Sequence, residues 1–166
     1  MPNHVYLDYN ATTPVAPEVV DVMIPWFTER FWNAASAHSM GAMANDAVET
    51  ARQQVADFIG AHPNEIVFTS GSTESINLAL KGALSASPDR TGIVTVATEH
   101  KAVLDTAAWL AEQGASTCVL PVTASGEIDP ELFAGSVDEH TAVVSVMAAN
   151  NETGVIADLV VPVDAA

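Results

Sequence analysis

The chain reads as an α/β fold built on a mainly parallel sheet flanked by helices. Two observations predict it. From residue 43 onward, segments of helical period alternate with short β-rich runs. The runs are apolar on consecutive strands with helices between them, which is the pattern of parallel strands buried on both faces.

The elements follow in order. Met43, Ala44, Ala47, Val48, Ala51, Val55, Phe58 and Ile59 recur at helical spacing, so the segment reads as an amphipathic helix. Gly60 closes it and Pro63 prevents a restart. Glu65-Ile66-Val67-Phe68-Thr69 is then expected as a first strand. Ile76, Leu78, Ala79 and Leu80 mark a helix opened by Gly71-Ser72-Thr73-Glu74. Gly92 to Thr98 reads as a second strand, and Ala102, Val103, Ala107 and Leu110 as the next helix, ending near Gly114. Thr117 to Val122 is a third strand. Asp129-Pro130 supplies an N-cap and a first-turn proline for a short helix through Val137. Thr141 to Ala148, nearly all apolar, is a fourth strand.

Residues 1–42 break this rhythm. They hold an extended start, a helix near Pro17 to Arg30 and a loop around Phe31 to Gly41, and are expected to form an arm packing on the main domain (43–166) or on a partner subunit. No internal repeat is present. Asp158 to Ala166 stops without a closing element, so the sheet reads as incomplete.

Composition narrows the function classes. At 49% hydrophobic residues with 9 Gly and 9 Pro, the 166-residue chain is globular rather than disordered. No apolar run reaches the roughly 18–20 residues of a membrane span. Met1-Pro2-Asn3-His4 lacks the basic start and apolar stretch of a secretory signal, so a cytoplasmic location is the default. The single cysteine, Cys118, excludes an internal disulfide framework or a Cys-rich metal cluster, and no metal site is expected. Five Lys plus Arg face 21 Asp plus Glu, a net charge of −16, which repels nucleic acids and anionic membranes. A halophilic source and a half-chain whose bases lie elsewhere both account for it.

Three polar clusters sit where strands are expected to end. In Thr69-Ser70-Gly71-Ser72-Thr73-Glu74 a glycine permits a tight turn and two hydroxyls open a helix, whose free N–H groups and dipole favour an anion. The same residues also serve an ordinary Ser/Thr cap. The Gly-Lys-Ser/Thr ending of nucleotide-hydrolase phosphate loops is absent. In Thr98-Glu99-His100-Lys101, His100 stands where ligands of open parallel sheets bind; it can stack on a ring, shuttle a proton or simply cap a helix. His4, His38, His62 and His140 have no comparable setting. In Asn150-Asn151-Glu152-Thr153-Gly154, asparagine can bond a ligand oxygen without adding charge, or merely make a turn. Together the three clusters point to one crevice. An unrelated nucleotide or phosphosugar binder could use the same helix start, though no GxGxxG supports it.

These segments resemble a known family. Tyr6-Leu7-Asp8-Tyr9-Asn10-Ala11-Thr12-Thr13-Pro14 is similar to the opening signature of cysteine desulfurases, within the class V aminotransferase group. Phe31-Trp32-Asn33-Ala34-Ala35-Ser36-Ala37-His38 is similar to the loop that follows, with Trp32 and Ala34 in place of the usual Gly and Pro. EIVFTSGSTE (Glu65–Glu74), TEHKAVLD (Thr98–Asp105) and NNETG (Asn150–Gly154) complete a set that runs in register along essentially the whole chain.

The resemblance implies the aspartate-aminotransferase-like fold (pyridoxal-phosphate fold type I) and pyridoxal 5′-phosphate as cofactor. Carried over by position, Gly71, Ser72 and Thr73 bind the cofactor phosphate. His100 stacks on the ring and assists proton transfers, as the catalytic residue. Asn151 lies near the phenolic oxygen and the substrate carboxylate. The implied reaction takes sulfur from L-cysteine, leaving L-alanine and an enzyme persulfide, and passes the sulfur to acceptor or scaffold proteins for iron–sulfur cluster assembly. A homodimer is implied as well. The family's Schiff-base lysine, the aspartate that pairs with the ring nitrogen and the acceptor cysteine all match segments beyond residue 166. Lys81 and Lys101 match neither the lysine nor its setting, and Cys118 reads as a buried structural thiol. The chain alone is therefore expected not to desulfurate cysteine. It is a fragment, a half completed by a C-terminal half, or a non-catalytic phosphate- or partner-binding relative. Another class V activity, such as a selenocysteine lyase, stays open.

Overall fold

The computed structural model describes residues 4–160. The chain divides into two compact units, Met1–Phe68 and Thr69–Ala166.

The first unit carries two helices. Pro17 occupies the first turn of α1 (Pro17–Thr28), where its missing N–H costs nothing. Helix α2 (Ser39–Ile59) starts four residues earlier than its apolar period suggests, because His38 caps it: Nδ1 accepts from Gly41 N at 3.2 Å. Gly41 is buried, and a Cβ there would collide with the Ser36 carbonyl, so the close approach of the two backbones requires glycine. Gly60 ends α2 in the left-handed region (φ 71°), and Ala61 N donates to Ala56 O.

The expected strand at 65–69 does not form. Pro63–Glu65 is a 3₁₀ turn, closed by reciprocal bonds between His62 Nδ1 and Asn64 N and between Glu65 Oε2 and His62 N. Ile66 has extended dihedrals (φ −95°, ψ 122°), yet its carbonyl is taken by the Arg52 guanidinium, which also lies 5.0 Å over the Phe68 ring. Extended backbone without a ladder partner is not a strand.

The second unit is the α/β core. Helix α3 (Ser72–Ala86) leads into β1 (Gly92–Val96), α4 (Lys101–Glu112), β2 (Ser116–Leu120), α5 (Pro130–Ala134) and β3 (Thr141–Ser145). The described residues form a sheet of three strands rather than four, in the order β2-β1-β3, all parallel. The strands are shorter than their apolar runs; Val122, expected in β2, instead bridges Ile128, and Ala149 bridges Ile156.

The central strand explains the apolar run that announced it. Ile93 faces a core of Leu80, Val103, Ala107 and Leu110 from α3 and α4. Val94 and Val96 face the other way, against Leu120 and Phe133, with Val122, Ile128, Val137, Val144 and Val146 around them. Both faces of β1 are thus covered, as parallel sheets require. Helix α5 is capped as expected, with Asp129 accepting from Glu131 N (3.0 Å) and Leu132 N (3.1 Å), but it closes at Ala134 instead of Val137. Residues 161–166, part of the expected open end, lie outside the described residues.

Candidate active site

Parallel topology decides where the polar clusters go. Helix α4 leaves the C-terminal end of β1 and returns to the start of β2, so it runs against the strands. Helix α3 packs on α4 and feeds the start of β1, so it also runs against them. Both helices therefore begin at the sheet edge where the strands end, the edge at which open α/β sheets bind ligands.

At that edge a cleft of about 310 Å³ is lined by Ala97, Thr98, Glu99, His100, Lys101 and the turn Asn150–Thr153. Two of the expected site residues, His100 and Asn151, meet there. Gly71, Ser72 and Thr73 sit at the start of α3 and are not part of its wall.

His100 is the N-cap of α4. Its Nδ1 accepts from Ala102 N at 3.0 Å, and its own N–H donates to Glu99 Oε2 at 3.0 Å. Occupation of Nδ1 as an acceptor leaves the ring proton to Nε2 in the neutral form. The capping role is shared: His38 and His62 also accept backbone N–H groups through Nδ1, so capping alone does not distinguish His100. What sets His100 apart is the cleft beside it.

Two ties attach its loop to the strand and turn next door. Ser145 Oγ donates to Glu99 Oε1 at 3.1 Å, and Asn150 Nδ2 donates to Thr98 O at 2.8 Å. Thr98, Glu99, Ser145 and Asn150 were not singled out in the sequence. The Asn-Asn pair ahead of Gly154 is a signal, but it does not show which asparagine reaches the neighbouring loop.

The start of α3 has no side-chain cap. Its N-cap, Gly71, is in extended backbone (φ 161°, ψ −180°) that any residue adopts, so the expected tight turn is not what places glycine there. A Cβ would meet nothing within 4 Å, so Gly71 opens space in front of the helix. Among the described residues the exposed Ser72 and Thr73 make no side-chain hydrogen bond. The first-turn N–H groups have no intrahelical acceptor, and the helix dipole adds its positive end. Free N–H groups and a positive dipole end are the general chemistry of an anion site.

Glu74 is the one first-turn carboxylate, and it reaches back to Ser70, the residue before the N-cap. Its Oε2 accepts from Ser70 Oγ and Ser70 N, both at 2.6 Å. These bonds, the hydroxyl first and the amide second, lower its pKa below the ordinary carboxylate value. A group depressed in the folded state stabilises above its unfolded pKa and loses that contribution as pH falls through the folded one. Urea midpoints of the wild type and Glu74→Gln are therefore expected to separate near neutrality and converge in acid; parallel curves at all pH values would show that the clamp carries no charge-dependent stability.

The two lysines are otherwise engaged. Lys101 pairs with Asp105 at 2.7 Å, and Lys81 lies 4.4 Å over the Trp109 ring. Cys118 is half-buried in β2 against the second core, less enclosed than expected. Among the described residues no group of His, Cys, Asp and Glu is placed to hold a metal, and no helix is long and apolar enough to cross a membrane.

A parallel α/β core with helix starts and polar turns gathered at one sheet edge defines the class: the fold-type-I architecture of NifS-like proteins, of which this chain covers under half. The chain belongs to the aminotransferase class-V family, whose model matches residues 5–163. It is 51% identical over 155 residues to a cysteine desulfurase IscS of Dechloromonas aromatica, covering 92% of this chain and 38% of that protein. To a mitosomal cysteine desulfurase of Trachipleistophora hominis it is 46% identical over 162 residues, covering 95% of this chain and 37% of the relative. Among solved structures, a NifS-like protein superposes with a TM-score of 0.88 at 44% identity, covering 93% of this chain and 43% of that one. A structure of SspA in complex with cysteine superposes with a TM-score of 0.88 at 35% identity, covering 96% and 46%. The chain thus spans under half the length of these proteins.

Proposed function

We propose that this chain supplies the phosphate- and ring-facing part of a pyridoxal 5′-phosphate site in a cysteine desulfurase. The reaction takes sulfur from L-cysteine, leaves L-alanine and passes sulfur to acceptor or scaffold proteins in iron–sulfur cluster assembly. The observation that supports it best is the cleft in which His100 and Asn151 meet at the strands' C-terminal edge.

Each residue has a role in this reading. Ser72 and Thr73 donate their hydroxyls and first-turn amides to the phosphate, with Gly71 leaving room for it. His100 faces the ring and holds or moves a proton at Nε2. Asn151 orients the phenolic oxygen and the substrate carboxylate. When bound, the cofactor supplies an electron sink for the amino acid's carbanion; the protein binds, orients and moves protons.

The same reading assigns the amine and the accepting thiol to residues outside this chain, since Lys81, Lys101 and Cys118 are engaged or packed as described. It also gives this chain a partner, a second copy or a C-terminal half. Leu7, Phe58 and Ile156 are 84%, 90% and 80% exposed, and apolar surface of this kind is covered in assemblies. The cytoplasm is the location that goes with it.

The test is a titration of the chain with pyridoxal phosphate, read by tryptophan emission. Saturable binding is expected without the visible band of amine-held cofactor, and without alanine release from L-cysteine until a lysine-bearing segment is supplied. A folded chain, verified by circular dichroism, that shows no saturation would sink the reading.

A further inference from the structure

We propose that Asn150 is a positioning residue for this cleft, locking the loop that presents His100 against the turn that presents Asn151. The inference rests on the site reading above. It starts from how fully Asn150 is used. Oδ1 accepts from Glu152 N at 2.9 Å and Thr153 N at 2.8 Å. Its backbone N–H donates to Val155 O at 2.8 Å, and its carbonyl accepts from Gly154 N at 2.9 Å. Nδ2 donates to Thr98 O at 2.8 Å, across 52 positions of sequence.

The first four bonds are local turn chemistry, which any Asx turn provides. The fifth is not needed by the turn. It joins a residue two positions before His100 to a residue one position before Asn151. The amide can take only this orientation, because the opposite one would aim its NH₂ at two N–H groups and its oxygen at a carbonyl. Asn150 is half-buried, so the bond is partly shielded from water. The Glu99–Ser145 bond fixes the same loop to β3, but it holds the loop to a strand and not to the turn carrying Asn151.

Asn150→Asp separates the two functions of the side chain. It keeps an acceptor for Glu152 N and Thr153 N, and puts an oxygen in place of the donor facing Thr98 O. The direct readout is amide hydrogen exchange in the full chain. The N–H of Ala102, which donates to His100 Nδ1, and that of His100, which donates to Glu99, are expected to exchange about five- to tenfold faster, the effect of losing one net hydrogen bond. The amides of Val94 and Leu120 are expected to hold. Should the core amides also speed up, Asn150→Ser, with a short neutral acceptor, replaces it. Unchanged exchange at Ala102 and His100 in a folded variant overturns the proposal.

A second arm measures affinity for pyridoxal phosphate in His100→Ala, Asn150→Asp and the double variant. A residue acting through His100 adds little to the loss already caused by His100→Ala; fully additive losses overturn the proposal. A wild-type chain that binds no pyridoxal phosphate removes the site reading, and the exchange arm then decides the tie alone.

Discussion

Phe133→Ala is expected to lower the unfolding free energy by about 3–5 kcal/mol, a large part of the roughly 5–15 kcal/mol that a domain possesses. Phe133 is 0% exposed and is among the largest fully buried side chains. It projects from α5, a helix of five residues that cannot persist alone in water. Asp129 caps that helix, but a cap contributes about 1 kcal/mol, less than the burial of one phenyl ring. The ring therefore anchors α5 and closes the sheet face formed by Val94, Val96 and Leu120. Removing it leaves a cavity against strand residues that cannot collapse inward without breaking the parallel ladder. Urea unfolding followed by circular dichroism measures the loss, with Phe133→Leu as the volume-closer control, expected to lose clearly less. A loss below about 1 kcal/mol for the alanine variant would show that the second core closes without the ring.

The same core shows what was legible in the sequence. The run Ile93–Val96 announced a strand covered on both sides, and α3, α4 and α5 cover it. Gly60 and Asp129-Pro130 announced a helix end and a helix start because their backbone chemistry is local. The run at 65–69 misled because an apolar, β-branched pattern reports burial and propensity, whereas a strand also needs a neighbour for its ladder. The early start of α2 was hidden because histidine is not among the usual caps. At the site, His100 was legible from residue type at a strand's end and Asn151 from the family resemblance of its segment, and both line the cleft. Asn150 was not, because which of two adjacent asparagines reaches across depends on how closely two loops approach, and no local pattern encodes that distance.

The division of labour at the start of α3 gives the second large effect. Ser72→Ala/Thr73→Ala is expected to weaken binding of pyridoxal phosphate by about two to four orders of magnitude, since each hydroxyl bond to a charged phosphate contributes roughly 1.5–3 kcal/mol. Stability should move by no more than about 0.5 kcal/mol, because neither side chain caps the helix or touches the core, and alanine suits a first turn. Pyridoxal without its phosphate is the discriminating ligand. If the two hydroxyls hold the ester, its weaker binding is the same in wild type and variant. If they act on the ring or on the shape of α3, both ligands lose affinity together. If His100 faces the ring, as proposed, His100→Ala is expected to give the reverse pattern, weakening pyridoxal and pyridoxal phosphate alike, because the ring is common to both. A pair of variants with these two profiles divides the site into an anion end on α3 and a ring end on α4. A double-alanine variant that binds pyridoxal phosphate as tightly as the wild type would leave the phosphate to the backbone amides alone, and would remove Ser72 and Thr73 from the site.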